Sequence, residues 1–372
     1  MGGIDGLLNL ATAWEAVSDE VGDRTAISAA GRRLSWSEFD DRAASLAATM
    51  VAHGLGPGSK VALYLYNGHE YPEAQYAAFK VRGVPANVNY RYTGDELAYI
   101  LNNSDAEAVF FDHTLADRVA AVRQRCPALR LAVQVGGDQL PDWAVGHEVA
   151  ASADPMPRIG RSGSDLWFLY TGGTTGMPKA VMWDHANLFG SMEATFRPFK
   201  EAVPTTADEA AGIARRVAEA GREIRQLCAA PLMHGTSGIP GLATLSHGGM
   251  LSTLANRNFD ADELWRTVET DRITMITMVG DAFGRPMIES LDRAAARLAS
   301  TGAAYVALED FCPSLTGLSE IRREIAKRPF LATLEKLIVP LRGSQETHVC
   351  AGWVHKGYEE LIVKLMKELA LT

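Results

Sequence analysis

The chain is poor in the residues that staple small secreted domains. It has four cysteines in 372 residues, Cys126, Cys228, Cys312 and Cys350. They are far apart and form no CxxC pair, so a disulfide framework and a cysteine zinc site are both poor readings, and a reducing cytoplasm is the default setting. No run approaches the ~20 apolar residues that a spanning helix needs. No basic segment precedes an apolar core near Met1, so no signal peptide is expected. Gly2 lacks the Ser or Thr that a myristoylation motif places at position 6, where Gly6 stands. Positive charge is scarce too: 36 Lys and Arg against 45 Asp and Glu leave a net charge of −9. That balance argues against a general nucleic-acid or anionic-membrane binder. A polyanionic small molecule would need a local cationic site.

What is present fits a soluble globular chain, 47% hydrophobic and 22% charged. The length suits two or more ordinary domains or one large layered body. Leu8, Trp14 and Val17 mark an amphipathic opening helix. Arg24–Ile27 and Gly31–Ser35 read as a hairpin. Ser35 or Ser37 caps a helix that buries Phe39, Ala43, Leu46 and Met50. Val61–Leu65 is a nearly continuous apolar strand, a helix runs from Tyr71 to Val81, and Gly83–Val88 begins another strand. Thr93 caps a helix opening on Asp95 and Glu96, and Ala108–Phe111 is again a strand. Strand and helix alternating at this spacing predict an α/β body with a mostly parallel sheet covered on both faces. Asn87, Asn89, Tyr90 and Arg91 are polar residues beside a buried strand, read as loop hydrogen bonding that positions the sheet. Thr206–Gln226 reads as a charged, solvated surface helix. Met250–Leu254 is a strand. Asp260 or Asp262 caps a helix over Glu263–Thr270, and Ile273–Val279 is a β-branched strand.

The most informative stretch is Tyr170–Met182, YTGGTTGMPKAVM. An apolar run, Leu166–Leu169, opens into glycines and threonines, and a second apolar run follows Lys179. Glycine lets backbone N–H groups approach an anion closely, hydroxyls add donors, and lysine adds a point charge. The spacing is not that of a Walker A loop, because GxxxxGK[ST] is absent and Pro178 precedes the lysine. The competing reading is a glycine-rich turn with no ligand. A second segment, Ala230–Gly238, carries His234 between two turn-forming stretches. A neutral imidazole there can donate to a carboxylate, gate a pocket, or serve as a satisfied structural histidine.

The Thr/Gly loop resembles the nucleotide loop of the AMP-forming acyl-CoA synthetases of the adenylate-forming superfamily. His53–Tyr71, Val81–Leu101 and Asn103–Phe111 are similar to the N-terminal part of a fatty acyl-CoA ligase. Pro231–Gly238 resembles the family's PLxHxxG segment, with Thr236 and Ser237 in place of the usual apolar pair. Thr277–Ile288 resembles a segment near the acyl pocket, although Asp281 and Arg285 suit a structural ion pair at a strand end. The resemblance runs from about Trp14 to about Asp292. It implies that Thr171, Gly172, Gly173, Thr174, Thr175, Gly176 and Lys179 hold the β- and γ-phosphates of ATP, and that His234 lies on the side of the acyl carboxylate. It implies ATP, Mg2+ and CoA as cofactors or co-substrates and a carboxylic (fatty) acid as substrate. No protein metal ligands are identified, and the sequence leaves oligomerisation open.

Segments that the family uses for magnesium, ribose and the lid lysine are not recognisable. The expected division is therefore a truncated AMP-binding region over 1–293 and an unassigned, mainly helical tail over 294–372. In the tail, Ala303–Leu308 reads as a strand, and Leu318–Ala326 and Phe330–Val339 as helices. Tyr358, Leu361, Ile362, Leu365, Met366 and Leu369 form one apolar helical stripe. The expected function is an AMP-forming ligase that makes an acyl-adenylate and transfers it to CoA, with low turnover or none in this form. Two alternatives are a nucleotide- or acyl-binding protein without turnover and an interaction protein derived from a ligase.

Overall fold

The computed structural model describes residues 7–171 and 177–280, together with 283, 284, 286, 287 and 290. The chain divides into two compact units, the first ending at Asn258 and the second beginning at Phe259.

The first unit opens on α1 (Leu10–Val21), capped by Asn9, whose side chain accepts from the Ala11 N–H. β1 (Thr25–Ala29) and β2 (Arg32–Ser35) form the expected hairpin. Its turn residues, Ala30 and Gly31, have φ of 49° and 81°. Two left-handed residues match the twist of the flanking strands. Of the two candidate caps it is Ser35 that closes a capping box with Glu38 and starts α2 (Trp36–Ala52).

Strand and helix then alternate: β3 (Lys60–Tyr64), α3 (Glu70–Lys80), β4 (Val84–Asn87), α4 (Gly94–Asn103), β5 (Ala106–Asp112), α5 (Ala116–Arg123) and β6 (Leu131–Val135). β7 (Val145–Gly146) and α6 (His147–Ala150) follow, then β8 (Leu166–Thr171) and β9 (Lys179–Asp184). These strands make one seven-stranded sheet in the order β7-β6-β5-β3-β4-β8-β9, parallel throughout except between β8 and β9. The continuous apolar run in β3 has a direct cause. Successive side chains point to opposite faces. Val61 and Leu63 join a core containing Trp14, Phe39 and Phe79, while Ala62 and Tyr64 join another with Leu97, Ile100 and Val119. Both faces are covered, so neither parity of the strand can be polar.

The unit continues through α7 (His185–Ser191), α8 (Glu193–Phe196), α9 (Ala207–Glu219), β10 (Arg225–Cys228), α10 (Gly235–Ser246) and β11 (Met250–Thr253). In a second sheet the strands run β10-β11-β1-β2, parallel except for the hairpin. Ile27, Leu34 and Leu251 share a core cluster with Val61 and Leu63, so the two sheets enclose one apolar layer.

Thr206–Gln226 departs from its expected form. The helix ends at Glu219, Gly221 turns the chain at φ 62°, and Gln226 is a fully buried residue of β10. Nor is α9 solvated all round. Ala210, Ile213, Ala214 and Val217 are buried, and the helix packs on α1. Alanines between charges hid this stripe, because alanine adds little to an apolar pattern.

The second unit contains α11 (Ala261–Asp271), and of its two candidate caps Asp260 accepts from the Asp262 and Glu263 N–H groups. β12 (Met275–Thr277) is shorter than the β-branched run that suggested it. Trp265 is buried, and its indole N–H donates to Ser290 at 2.8 Å. Asp281, Arg285 and the tail from 294 onward, including its apolar stripe, lie outside the described residues.

Candidate functional site

β8 and β9 are the two posts of the phosphate-type loop. Thr171 stands opposite Lys179 in the antiparallel register, and both are exposed. Gly172, Gly173, Thr174, Thr175 and Gly176 lie outside the described residues. β8 runs parallel to β4, so Thr171 is at a carboxyl end of the parallel strands. Open α/β sheets bind ligands outside that edge. The hairpin is held from the side by α4. The Tyr170 hydroxyl donates to Asn103 at 2.8 Å, and the Tyr99 hydroxyl donates to the Pro178 carbonyl at 3.3 Å. Burial pushes the Tyr170 phenol up to about 12, so it stays a neutral donor.

Two asparagines at the same edge connect this hairpin to the histidine segment. Asn87, buried at the end of β4, accepts from the Tyr170 N–H at 2.6 Å and donates to the Tyr170 carbonyl at 3.0 Å. The same amide donates to the Met233 carbonyl at 2.6 Å. Asn67, three residues beyond β3, donates to the Cys228 and Ala230 carbonyls at 3.1 and 3.3 Å and accepts from the Leu232 N–H at 2.7 Å. The stretch from β10 to His234 is thus laced to the sheet through side-chain amides, which can satisfy both a donor and an acceptor of irregular backbone.

His234 is the exposed N-cap of α10, and its ring makes no capping bond. Partial desolvation and the charge of Arg91 hold its pKa below the ordinary value, so the imidazole is neutral at pH 7. The glycines around it have a packing reason. A Cβ at Gly235 would come 3.2 Å from the Leu169 side chain, and one at Gly238 would come 2.9 Å from the Leu232 carbonyl. These glycines bring the start of α10 against β8 and the turn before it. Thr236 is exposed and Ser237 buried, so the two polar substitutions fall in different environments.

Beyond β3, β4 and β5 a cationic cluster fixes the neighbouring loops. Arg257 pairs with both oxygens of Asp112 at 3.0 and 2.9 Å and lies 4.4 Å over the Tyr66 ring. Tyr66 packs against Tyr90 at 4.6 Å, and Arg118 donates to the Tyr90 carbonyl at 2.8 Å. Sequence reasoning gave Asn87 and Tyr90 a positioning part but passed over Asn67, Tyr99, Asn103 and Arg257. Asn67 follows an apolar strand as Asn87 ends one, and that shared placement is the signal available. Nothing local marks Arg257, whose partner Asp112 lies 145 residues away. Among the described residues no three His, Cys, Asp or Glu side chains are grouped to hold a metal ion.

A family model described as AMP-binding enzyme matches residues 14–357. The chain belongs to that family. The match extends past the boundary near Asp292 suggested by the resemblance. Among curated relatives, the medium-chain acyl-CoA ligase Mig of Mycobacterium avium is 33% identical over 307 residues, covering 77% of this chain and 55% of its own length. A 3-oxocholest-4-en-26-oate–CoA ligase of Rhodococcus rhodochrous is 32% identical over 294 residues, covering 77% of this chain and 51% of its own. The chain therefore spans about half the length of these relatives. Among solved structures, a long-chain-fatty-acid–CoA ligase from Archaeoglobus fulgidus superposes with a TM-score of 0.64 at 19% identity, over 84% of this chain and 61% of that one. The likeness is one of fold, and it bears out the layered α/β architecture with mostly parallel sheets.

Proposed function

We propose that this chain carries the nucleotide- and acyl-binding part of an AMP-forming acid–thiol ligase. The observation that supports the reading best is the β8–β9 hairpin. It presents Thr171 and Lys179 as a cross-strand pair at the carboxyl edge of a parallel sheet, and Asn87 links it to the residue before His234. In this reading Thr171, Gly172, Gly173, Thr174, Thr175, Gly176 and Lys179 receive the β- and γ-phosphates of ATP. A carboxylate oxygen attacks the α-phosphorus, the bond to the bridging oxygen breaks, and pyrophosphate leaves. The thiolate of CoA then attacks the acyl carbonyl and displaces AMP. No protein nucleophile is required; positioning and charge stabilisation carry the chemistry. Neutral His234 donates a hydrogen bond to the substrate carboxylate.

The substrate class is a carboxylic acid with an extended apolar body, as the names of the two relatives suggest. Magnesium would arrive on the ATP phosphates, as that ion usually does. The described residues offer no carboxylate cluster for it. A cytoplasmic setting belongs to the same reading. It is supported by Cys126 and Cys228, which are buried thiols outside any disulfide. No described helix is long and apolar enough to cross a membrane.

The test is pyrophosphate release from ATP with a panel of medium-chain, long-chain and sterol side-chain acids, run beside an ATP titration. Acid-dependent release is the expected result. ATP binding with no release from any acid would favour the nucleotide-binding reading over the ligase, and no ATP binding would defeat both.

A further inference from the structure

Three side-chain hydrogen bonds at the sheet edge converge on one residue that touches no substrate in the chemistry above. Asn87 is buried, has no direct reach into solvent, and spends its amide on two backbones distant in sequence, at Tyr170 and Met233. Each backbone stands one residue before a candidate site residue: Tyr170 before Thr171, Met233 before His234. The short contacts leave little slack, at 2.6 Å to the Tyr170 N–H and 2.6 Å to the Met233 carbonyl. Asn67 provides an internal comparison. It holds the same stretch from Cys228 to Leu232 and makes no bond to β8.

We propose that Asn87 is a positioning residue that couples the phosphate loop to His234, so that filling the loop changes the surroundings of the imidazole. This rests on the reading of Thr171–Lys179 as the ATP phosphate site. The mechanism is mechanical. A nucleotide that draws the Thr171 end of β8 toward its phosphates moves the Tyr170 peptide. The amide that holds Tyr170 by both its N–H and its carbonyl also holds the Met233 carbonyl, so His234 follows. Asparagine suits this task because one planar group carries an acceptor and two donors in fixed relation. Aspartate keeps the acceptor for the Tyr170 N–H but gives up both donations.

The test is NMR of the full chain with carbon-labelled histidine, with the His234 ring signal assigned by its loss in His234→Gln. ATP with magnesium is the titrant. In the wild type the His234 signal shifts as ATP saturates. In Asn87→Ala and Asn87→Asp, folded by circular dichroism and still binding ATP, that shift is lost. Asn67→Ala lowers the thermal midpoint and keeps the shift, which separates coupling from loss of packing. A His234 response retained in either Asn87 variant overturns the proposal. So does a wild type that binds ATP with His234 unmoved, and this outcome needs no variant to fold. ATP affinity unchanged in Lys179→Ala defeats the loop reading instead, and it is read from the binding isotherm rather than from the histidine.

Discussion

Lys179 stands at the mouth of the loop, exposed and opposite Thr171. A charge-assisted contact to phosphate contributes about 1.5–3 kcal/mol, so Lys179→Ala should weaken ATP binding by that amount in calorimetry. Equal affinity in the variant would remove the lysine from the site. Lys80 presents the opposite case. It is buried, donating to Glu15 at 2.8 Å and Asp40 at 2.7 Å, with Arg161 paired to Glu15 at 2.7 Å. The carboxyl of Glu15 sits below its usual range: burial raises it, and Arg161 with Lys80 outweighs that effect. Removing one partner of such a group strands the others without compensation, typically at about 3–5 kcal/mol. Lys80→Ala should lose stability on that scale in urea unfolding while ATP affinity stays put. A loss below about 1 kcal/mol would mean that solvent reaches the cluster.

At the scale of elements, the cap of α2 isolates a local contribution. Ser35→Ala removes the acceptor for the Glu38 N–H and breaks the capping box. The expected cost is about 1 kcal/mol, and Ser37→Ala, at the other candidate cap position, should cost less. Equal losses would contradict the observed cap. Elements such as this one were legible because their signals are local: a capping serine, a two-residue turn, an apolar run wrapped on both faces. The α/β layering followed from the same signals. At the candidate site, the posts Thr171 and Lys179 and the segment of His234 were proposed from residue types in order. Their connection was not. Asn87 bridges separations of 83 and 146 residues, and asparagine at a strand end has many possible partners. The buried stripe of α9 failed for another reason, since alanine carries too little apolar weight to show which face turns inward.

At the scale of the whole molecule, buried histidines set the acid limb of stability. His185 and His247 are fully buried, and desolvation pushes both down to about 3. Unfolded histidine titrates near 6.5. The unfolded chain therefore takes up protons that the folded chain refuses. The contribution is complete above about pH 6.5 and falls toward pH 3, by about 1.4 kcal/mol per pH unit for each residue. His147 has the opposite sign. Burial pulls it down, but Glu148 and Glu73 outweigh this and hold it up to about 9. Its contribution is complete below about pH 6.5 and is lost as pH rises through 9. Urea midpoints should therefore peak near neutrality, and His247→Phe should flatten the acid limb. A midpoint unchanged between pH 7 and 4.5 would exclude the histidines as its cause.

The pairing of β1 with β11 sets Ile27 beside Leu251, so the inner strand of the hairpin finds its parallel neighbour only when the chain has been made to Thr253. At ribosomal speeds of about 5–20 residues per second, the 224 residues between Ala29 and Thr253 take roughly 10–45 s to emerge. Throughout that interval the nascent hairpin has one strand edge without its partner, and Ile27 and Leu34 lack part of their final cover. Sheet pairing at such sequence separation is slow even in a finished chain. The hairpin strands are thus made long before their sheet can be completed, and the stretch from Thr25 to Ser35 needs shelter until Thr253 has been made.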